Sequence, residues 1–228
     1  MPSLGVRSGL RRQRSWMSVH MEQVKAVIFD CDGVMFDSRE ANEAYYNHIL
    51  AHFGKPPIDS KASDYVHMHT ADESVAHLFR DDSRLEEALT FRSQITYMPF
   101  IRMMRMEPYL TAFLDYLRPT YKTAISTNRS DTMNHGLLEH SLEGYFDLVV
   151  SSLDVKQPKP HPESLLKILR HFGLAPHESI YIGDSEIDAL AARQAGIPLI
   201  AYKNGNLSSA VYSVEHFKEI ERLLEGKG

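Results

Sequence analysis

Four aspartates, a lysine and a threonine sit where apolar runs stop. Asp30 and Asp32 follow Val27-Ile28-Phe29, and Asp184 and Asp188 follow Ile180-Tyr181-Ile182-Gly183. Thr127 and Asn128 close the run Thr123-Ala124-Ile125-Ser126, and Lys159 lies in a Pro-Lys-Pro segment beyond Phe146 to Val150. Carboxylates gathered in one crevice would repel each other, and at least one would keep its proton. A divalent cation removes that conflict. Hard oxygen donors suit magnesium, which keeps several waters and bridges to phosphate. Lys159 adds a second positive charge, so a site that would repel an anion can attract one.

The elements that must position these residues are short apolar runs, each closed by polar residues or glycine. Val27–Phe29, Thr123–Ile125, Phe146–Val150, Ile180–Ile182 and Pro198–Tyr202 read as buried strands. Residues 107–117, 130–140, 162–172 and 186–195 carry apolar residues at helical spacing. Alternating strands and helices predict a doubly wound α/β core with a Rossmann-like parallel sheet covered on both faces. Such sheets bind ligands at the carboxyl ends of their strands, where the candidate residues lie.

One connection departs from that rhythm. Residues 38–104 hold no convincing strand but carry helical stripes, among them Ala41, Tyr45, Ile49 and Phe53. Val75, Leu78 and Phe79 suggest a second helix; Leu85, Ala88, Leu89, Arg92 and Ile95 suggest a third. The expected organisation is a core from residues 21–37 and 105–228, with an all-helical insert at 38–104. Residues 1–20 carry Arg7, Arg11, Arg12 and Arg14 and no acidic residue. No apolar run follows the arginine pair, so they read as a disordered extension with Met21 as the working start; a transit peptide is the alternative.

Composition narrows the class. The 228 residues carry a net charge of -5, 43% hydrophobic and 24% charged residues, and one cysteine, Cys31. That is a soluble globular composition. The mild acidity argues against nucleic acid as a partner. No run of about eighteen apolar residues exists to span a membrane. A lone cysteine excludes an internal disulfide and fits a reducing cytoplasm.

The ordered set Asp30-Cys31-Asp32-Gly33-Val34, Thr127-Asn128, Lys159-Pro160 and Gly183-Asp184-Ser185-Glu186-Ile187-Asp188 resembles the four motifs of the haloacid dehalogenase superfamily. Ala191-Ala192 and Ala195-Gly196 are similar to its phosphoglycolate phosphatase-like branch. The resemblance covers about Val24 to Tyr202. It implies a magnesium-dependent phosphatase acting on a small phosphorylated metabolite. Asp30 would be the nucleophile that forms an aspartyl-phosphate, and Asp32 the acid and then the base. Lys159 would neutralise charge. Thr127, Asn128 and Gly33 would meet the phosphate, with the choice between Ser126 and Thr127 open. Asp30, Asp184, the Asp32 carbonyl and, in support, Asp188 would hold magnesium. A carboxylic acid at Asp32, where related dehalogenases have tyrosine, implies an oxygen leaving group.

The resemblance further implies that the insert caps the site, with hinges at Asp37-Ser38 and near Arg105 to Glu107. Two other functions fit the same motifs: a β-phosphoglucomutase-like mutase and a non-catalytic binding module on this fold. Those mutases carry threonine and histidine where Ser38 and Asn42 stand here. Cys31 reads as a buried, inert neighbour of Asp30. His67 and His69, two apart, have a spacing that suits a strand better than a helical metal pair; they read as surface histidines, with contact to substrate from the insert as the alternative. Oligomeric state leaves no trace in the sequence.

Overall fold

In the computed structural model, residues 20–130 and 132–226 are described together with the backbone of Arg11–Arg12. Among the described residues nine strands form: β1 (Arg11–Arg12), β2 (Ala26–Phe29), β3 (Phe36–Asp37), β4 (Arg105–Met106), β5 (Lys122–Ser126), β6 (Leu148–Val150), β7 (Ser179–Gly183), β8 (Leu199–Tyr202) and β9 (Tyr212–Val214). The helices are α1 (Arg39–His52), α2 (Ser60–Met68), α3 (Ala71–Leu78), α4 (Leu85–Gln94), α5 (Met98–Ile101), α6 (Leu110–Leu117), α7 (Thr132–Glu139), α8 (Glu163–Phe172), α9 (Glu186–Ala195) and α10 (Phe217–Leu224). Among the described residues no helix is long and apolar enough to cross a membrane.

The main sheet runs in the order β1-β9-β8-β7-β2-β5-β6, parallel except where β1 meets β9. All five strands expected from the sequence are present; β9 and β1 extend the edge. The central strands bury both faces, and successive side chains serve opposite layers. Val27, Phe29, Ile125, Ile180, Ile182, Ile200 and Tyr202 join one apolar cluster; Ile28, Ala124, Tyr181, Leu199 and Ala201 join the other. Helices α6, α7 and α10 cover the first face through Phe113, Leu137 and Phe217. Helices α8 and α9 cover the second through Leu165, Ile168, Ala191 and Ala192. The small residues on α9 let it lie close to the sheet. This is the doubly wound core, and it brings the ends of β2, β5 and β7 side by side.

Helices α1 to α5 lie between β3 and β4 and form an inserted all-helical unit. Tyr45, Ile49, Val66, Val75, Phe79, Ala88 and Ile101 are all buried. The α3 start is fixed by a reciprocal capping box, with the Thr70 hydroxyl receiving the Glu73 N–H and the Glu73 carboxylate receiving the Thr70 N–H. The two chain crossings pair as an antiparallel ribbon, with Phe36 opposite Met106 and Asp37 opposite Arg105. No strand signal marks these segments in the sequence, because each strand is two residues long, too short to show alternation.

His67 lies in α2 and His69 caps its C-terminus, so the strand-like reading of that pair is corrected. Burial of Val66 and Ser63 on one helical face outweighs the two-residue spacing. The reading of residues 1–20 as a disordered extension falls outside the described residues, apart from His20 and the backbone of Arg11–Arg12.

Candidate active site

Asp30 follows β2 directly, and its N–H donates to the Ile182 carbonyl of β7 at 2.9 Å. That bond ties the first acidic position to the strand carrying the last. Ser185 caps α9: its hydroxyl receives the Asp188 N–H at 3.2 Å and donates to Asp188 Oδ2 at 2.6 Å. The cap turns the chain sharply after Gly183, placing Asp184 beside Asp30. Carboxylate oxygens of Asp30, Asp184 and Asp188 lie within 4.8 Å of one another.

Gly33 permits this approach. Its φ is +77°, and a Cβ there would stand 2.0 Å from Asp184 Oδ2. Only glycine satisfies both the left-handed backbone and the contact.

Lys159 is the cation of the cluster. Its Nζ donates to Asp30 Oδ1 at 2.7 Å, Asp188 Oδ1 at 2.7 Å and the Tyr181 hydroxyl at 2.9 Å. Tyr181 OH in turn donates to Asp188 Oδ1 at 2.6 Å. Asn128 holds the lysine's backbone from both sides: Lys159 N–H donates to Asn128 Oδ1 at 2.9 Å, and Asn128 Nδ2 donates to the Lys159 carbonyl at 3.0 Å. Asn128 Nδ2 also reaches the Met68 carbonyl of the insert at 3.1 Å. The Asn128 amide is therefore occupied by main chain.

The side chains divide sharply in electrostatics. Burial, then the Asp188 charge, pushes the Asp30 carboxyl up to about 7 against the pull of Lys159. Burial and the charges of Asp188 and Asp30 push Asp184 well above the carboxylate range. Burial acts the same way on Asp188, but Lys159, Ser185 and Tyr181 outweigh it and hold the group low. Both Asp188 oxygens are taken by these donors, whereas the Asp184 carboxylate receives no hydrogen bond from any described residue. The donor set fits a divalent cation: hard oxygens, one of them unengaged, with more negative charge than Lys159 balances.

Asp32 is placed differently. Arg129 grips it, with Nε at 3.0 and 2.8 Å from its two oxygens and Nη2 at 2.7 Å from Oδ1. The Ser38 hydroxyl also donates to Asp32 Oδ1. Burial raises the Asp32 carboxyl, but the Arg129 charge and hydrogen bonds prevail and hold it below the usual range. Sequence reading passed over Arg129. The available signal was a basic residue directly after Thr127-Asn128. It also passed over Tyr181, whose only signal was a hydroxyl inside a buried strand.

These groups line one cavity of about 280 Å³ between the strand ends and the insert. Asp30, Asp32, Thr127, Arg129, Lys159 and Asp184 form its floor, and His67, Arg92 and Tyr97 belong to the insert wall. Thr127 faces this cavity, whereas Ser126 turns to the opposite layer and shares a 2.7 Å hydrogen bond with Ser164. Asn42 Nδ2 donates to His67 Nδ1 at 3.3 Å, and burial keeps that imidazole below its usual pKa. Cys31 is fully buried, and burial pushes its thiol up, away from thiolate reactivity.

Comparison with known proteins agrees with this geometry. A family model described as haloacid dehalogenase-like hydrolase matches residues 27–202. Pyrophosphatase PpaX of Bacillus velezensis is 29% identical over 177 residues, covering 77% of this chain and 81% of that protein. Phosphoglycolate phosphatase 1 of Pseudomonas aeruginosa is 29% identical over 192 residues, covering 79% of this chain and 70% of its own length. The crystal structure of a HAD-superfamily hydrolase of subfamily IA from Geobacter sulfurreducens superposes with a TM-score of 0.72 at 39% identity, covering 92% of this chain and 99% of that one.

Proposed function

The chain belongs to the haloacid dehalogenase-like hydrolases, a phosphatase among them by its relatives, and from that premise we propose that it hydrolyses a small phosphomonoester through an aspartyl-phosphate on Asp30 with magnesium as cofactor. The observation that carries this reading is the meeting of Asp30, Asp184 and Asp188 within 4.8 Å beside the buried Lys159 ammonium. Two of its relatives are named for pyrophosphate and phosphoglycolate, both small phosphorylated compounds.

Asp30 Oδ1 accepts from Lys159, which leaves Oδ2 to attack phosphorus. As the Asp30–phosphorus bond forms, the bond from phosphorus to the leaving oxygen breaks. Asp32 donates a proton to that oxygen, having first taken it from solvent, because Arg129 holds the resting carboxyl below the usual range. In the second half Asp32 takes a proton from water, the water oxygen attacks phosphorus, and inorganic phosphate leaves with Asp30 restored. Thr127 holds a phosphoryl oxygen, and the Lys159 ammonium neutralises charge on Asp30 and the transferring group. Magnesium held by Asp30, Asp184 and the Asp32 carbonyl would neutralise charge on the transferring group. Asp188 keeps Lys159 in place and Asn128 holds its loop. The unit spanning 38–104 acts as a cap, hinged at the β3–β4 ribbon, that excludes water when shut.

The test is phosphate release from p-nitrophenyl phosphate and a panel of metabolite phosphates. Release should need magnesium and vanish in Asp30→Asn. Undiminished release in that variant would remove the covalent mechanism, and return of phosphate to a sugar without release would indicate a mutase.

A further inference from the structure

The Asp32–Arg129 pair carries more than the reaction above needs. Asp32 must face the leaving oxygen, so a group bound to Asp32 stands on the leaving-group side of phosphorus. Arg129 is that group. Its side chain is 7% exposed, yet it lines the cavity, and its planar fork already holds a carboxylate in two-point fashion. The rest of its surroundings come from the insert: Nη2 donates to Asn42 Oδ1 at 3.3 Å and to the Tyr97 hydroxyl at 3.2 Å, and the guanidinium lies 4.9 Å from the Tyr97 ring centre. The cation is thus fixed on its far side by the insert and open to exchange on the Asp32 side.

We propose that Arg129 reads a second anionic group on the leaving portion of the substrate, a carboxylate or a further phosphate, and that this group replaces the Asp32 carboxylate in the Arg129 fork. The exchange frees the Asp32 oxygens to turn to the leaving oxygen. The substrate class is therefore a phosphoester whose leaving group carries its own negative charge within a few bonds of the ester oxygen. This inference rests on the phosphatase reading and adds the substrate feature and the residue that selects it. Arg92 is the other arginine of the cavity wall, but its Nη1 is engaged at 3.0 Å by Asp72 of the insert, away from Asp32.

The test compares matched phosphoesters with magnesium present: 2-phosphoglycolate against ethyl phosphate, and ethylene glycol bisphosphate against 2-hydroxyethyl phosphate. The wild-type chain should favour the charged member of at least one pair by tenfold or more in kcat/KM, and the pair it favours tells carboxylate from phosphate. Arg129→Gln should bring that ratio close to one, and Arg129→Lys should leave an intermediate ratio because it keeps charge but loses the fork. Binding of the same ligands to Asp30→Asn and to Asp30→Asn/Arg129→Gln, read by calorimetry, keeps the test open if turnover is too slow. Equal kcat/KM for both members in the wild type, or an unchanged ratio in Arg129→Gln, overturns the proposal and leaves the phosphatase standing. A ratio lost in Arg92→Gln instead also overturns it. Hydrolysis of no phosphoester at all removes both readings.

Discussion

Replacing Lys159 by methionine isolates what the buried ammonium does. The side chain is 3% exposed and satisfies Asp30, Asp188 and Tyr181 at once. Deleting one partner of a buried pair costs about 3–5 kcal/mol, because the remaining charge is stranded. Asp30 already sits at about 7 and can take a proton, so the loss belongs at the lower end, about 3 kcal/mol. In a chain of this length each kcal/mol moves Tm by about 2–4 °C, giving a fall of about 6–12 °C in Lys159→Met. The pH dependence has a definite sign. Without the ammonium, Asp30, Asp184 and Asp188 face one another, and their folded pKa values rise above the unfolded ones. Stability from such groups is complete below the unfolded carboxylate range and is lost as pH climbs towards the folded values. The deficit should therefore be larger at about pH 8 than at about pH 5.5. Magnesium, which supplies positive charge to the same oxygens, should recover part of it. Calorimetric melts of both proteins at the two pH values, with and without magnesium, read all three quantities. A Tm shift below about 2 °C at both pH values, or one indifferent to pH, would refute the role given to Lys159.

Other outcomes follow from the same geometry. Gly33→Ala places a methyl on the Asp184 carboxylate and should weaken magnesium affinity about 10–100-fold, read from the magnesium titration of phosphate release; an unchanged half-saturation would count against Asp184 as a ligand. Asp30, raised to about 7, holds a proton in part near neutrality in the metal-free protein, and burial with the charges of Asp188 and Asp30 raises Asp184 as well. Cation binding should therefore release protons and weaken as pH falls below about 7, and calorimetry in buffers of different ionisation heat would contradict this by reading no release. Phe217 is fully buried among Phe29, Phe113 and Tyr202, so Phe217→Ala should cost about 3–5 kcal/mol in urea unfolding; a loss under about 1 kcal/mol would mean that α10 is not part of the core.

Much of this molecule was legible in the chain. Strands such as Val27–Phe29 and Ile180–Ile182 are buried on both faces, so an unbroken apolar run marks them without any partner being known. Each run must stop where it meets solvent, and the residues at the stop are the ones that face a ligand. That is why Asp30, Asp32, Thr127 and Asp184 stood out by position as well as by type. Helices α1, α3 and α4 of the insert showed in their stripes because one face of each must be apolar to pack.

What the chain could not show depends on which residues meet across long separations. Arg129 and Asp32 are 97 positions apart, and nothing local distinguishes an arginine that grips a buried carboxylate from one that solvates a helix start. Asn128 and Asp188 are expected as site residues from the sequence, yet only the folded chain commits their polar atoms to Lys159 and Ser185. The β3–β4 ribbon and the β1–β9 edge are too short to carry a period, and they form because the rest of the fold brings their backbones within hydrogen-bonding distance. Apolar periodicity reports burial, which each segment expresses alone. Charge pairing and backbone pairing need two segments, so they come into being only when the tertiary structure closes.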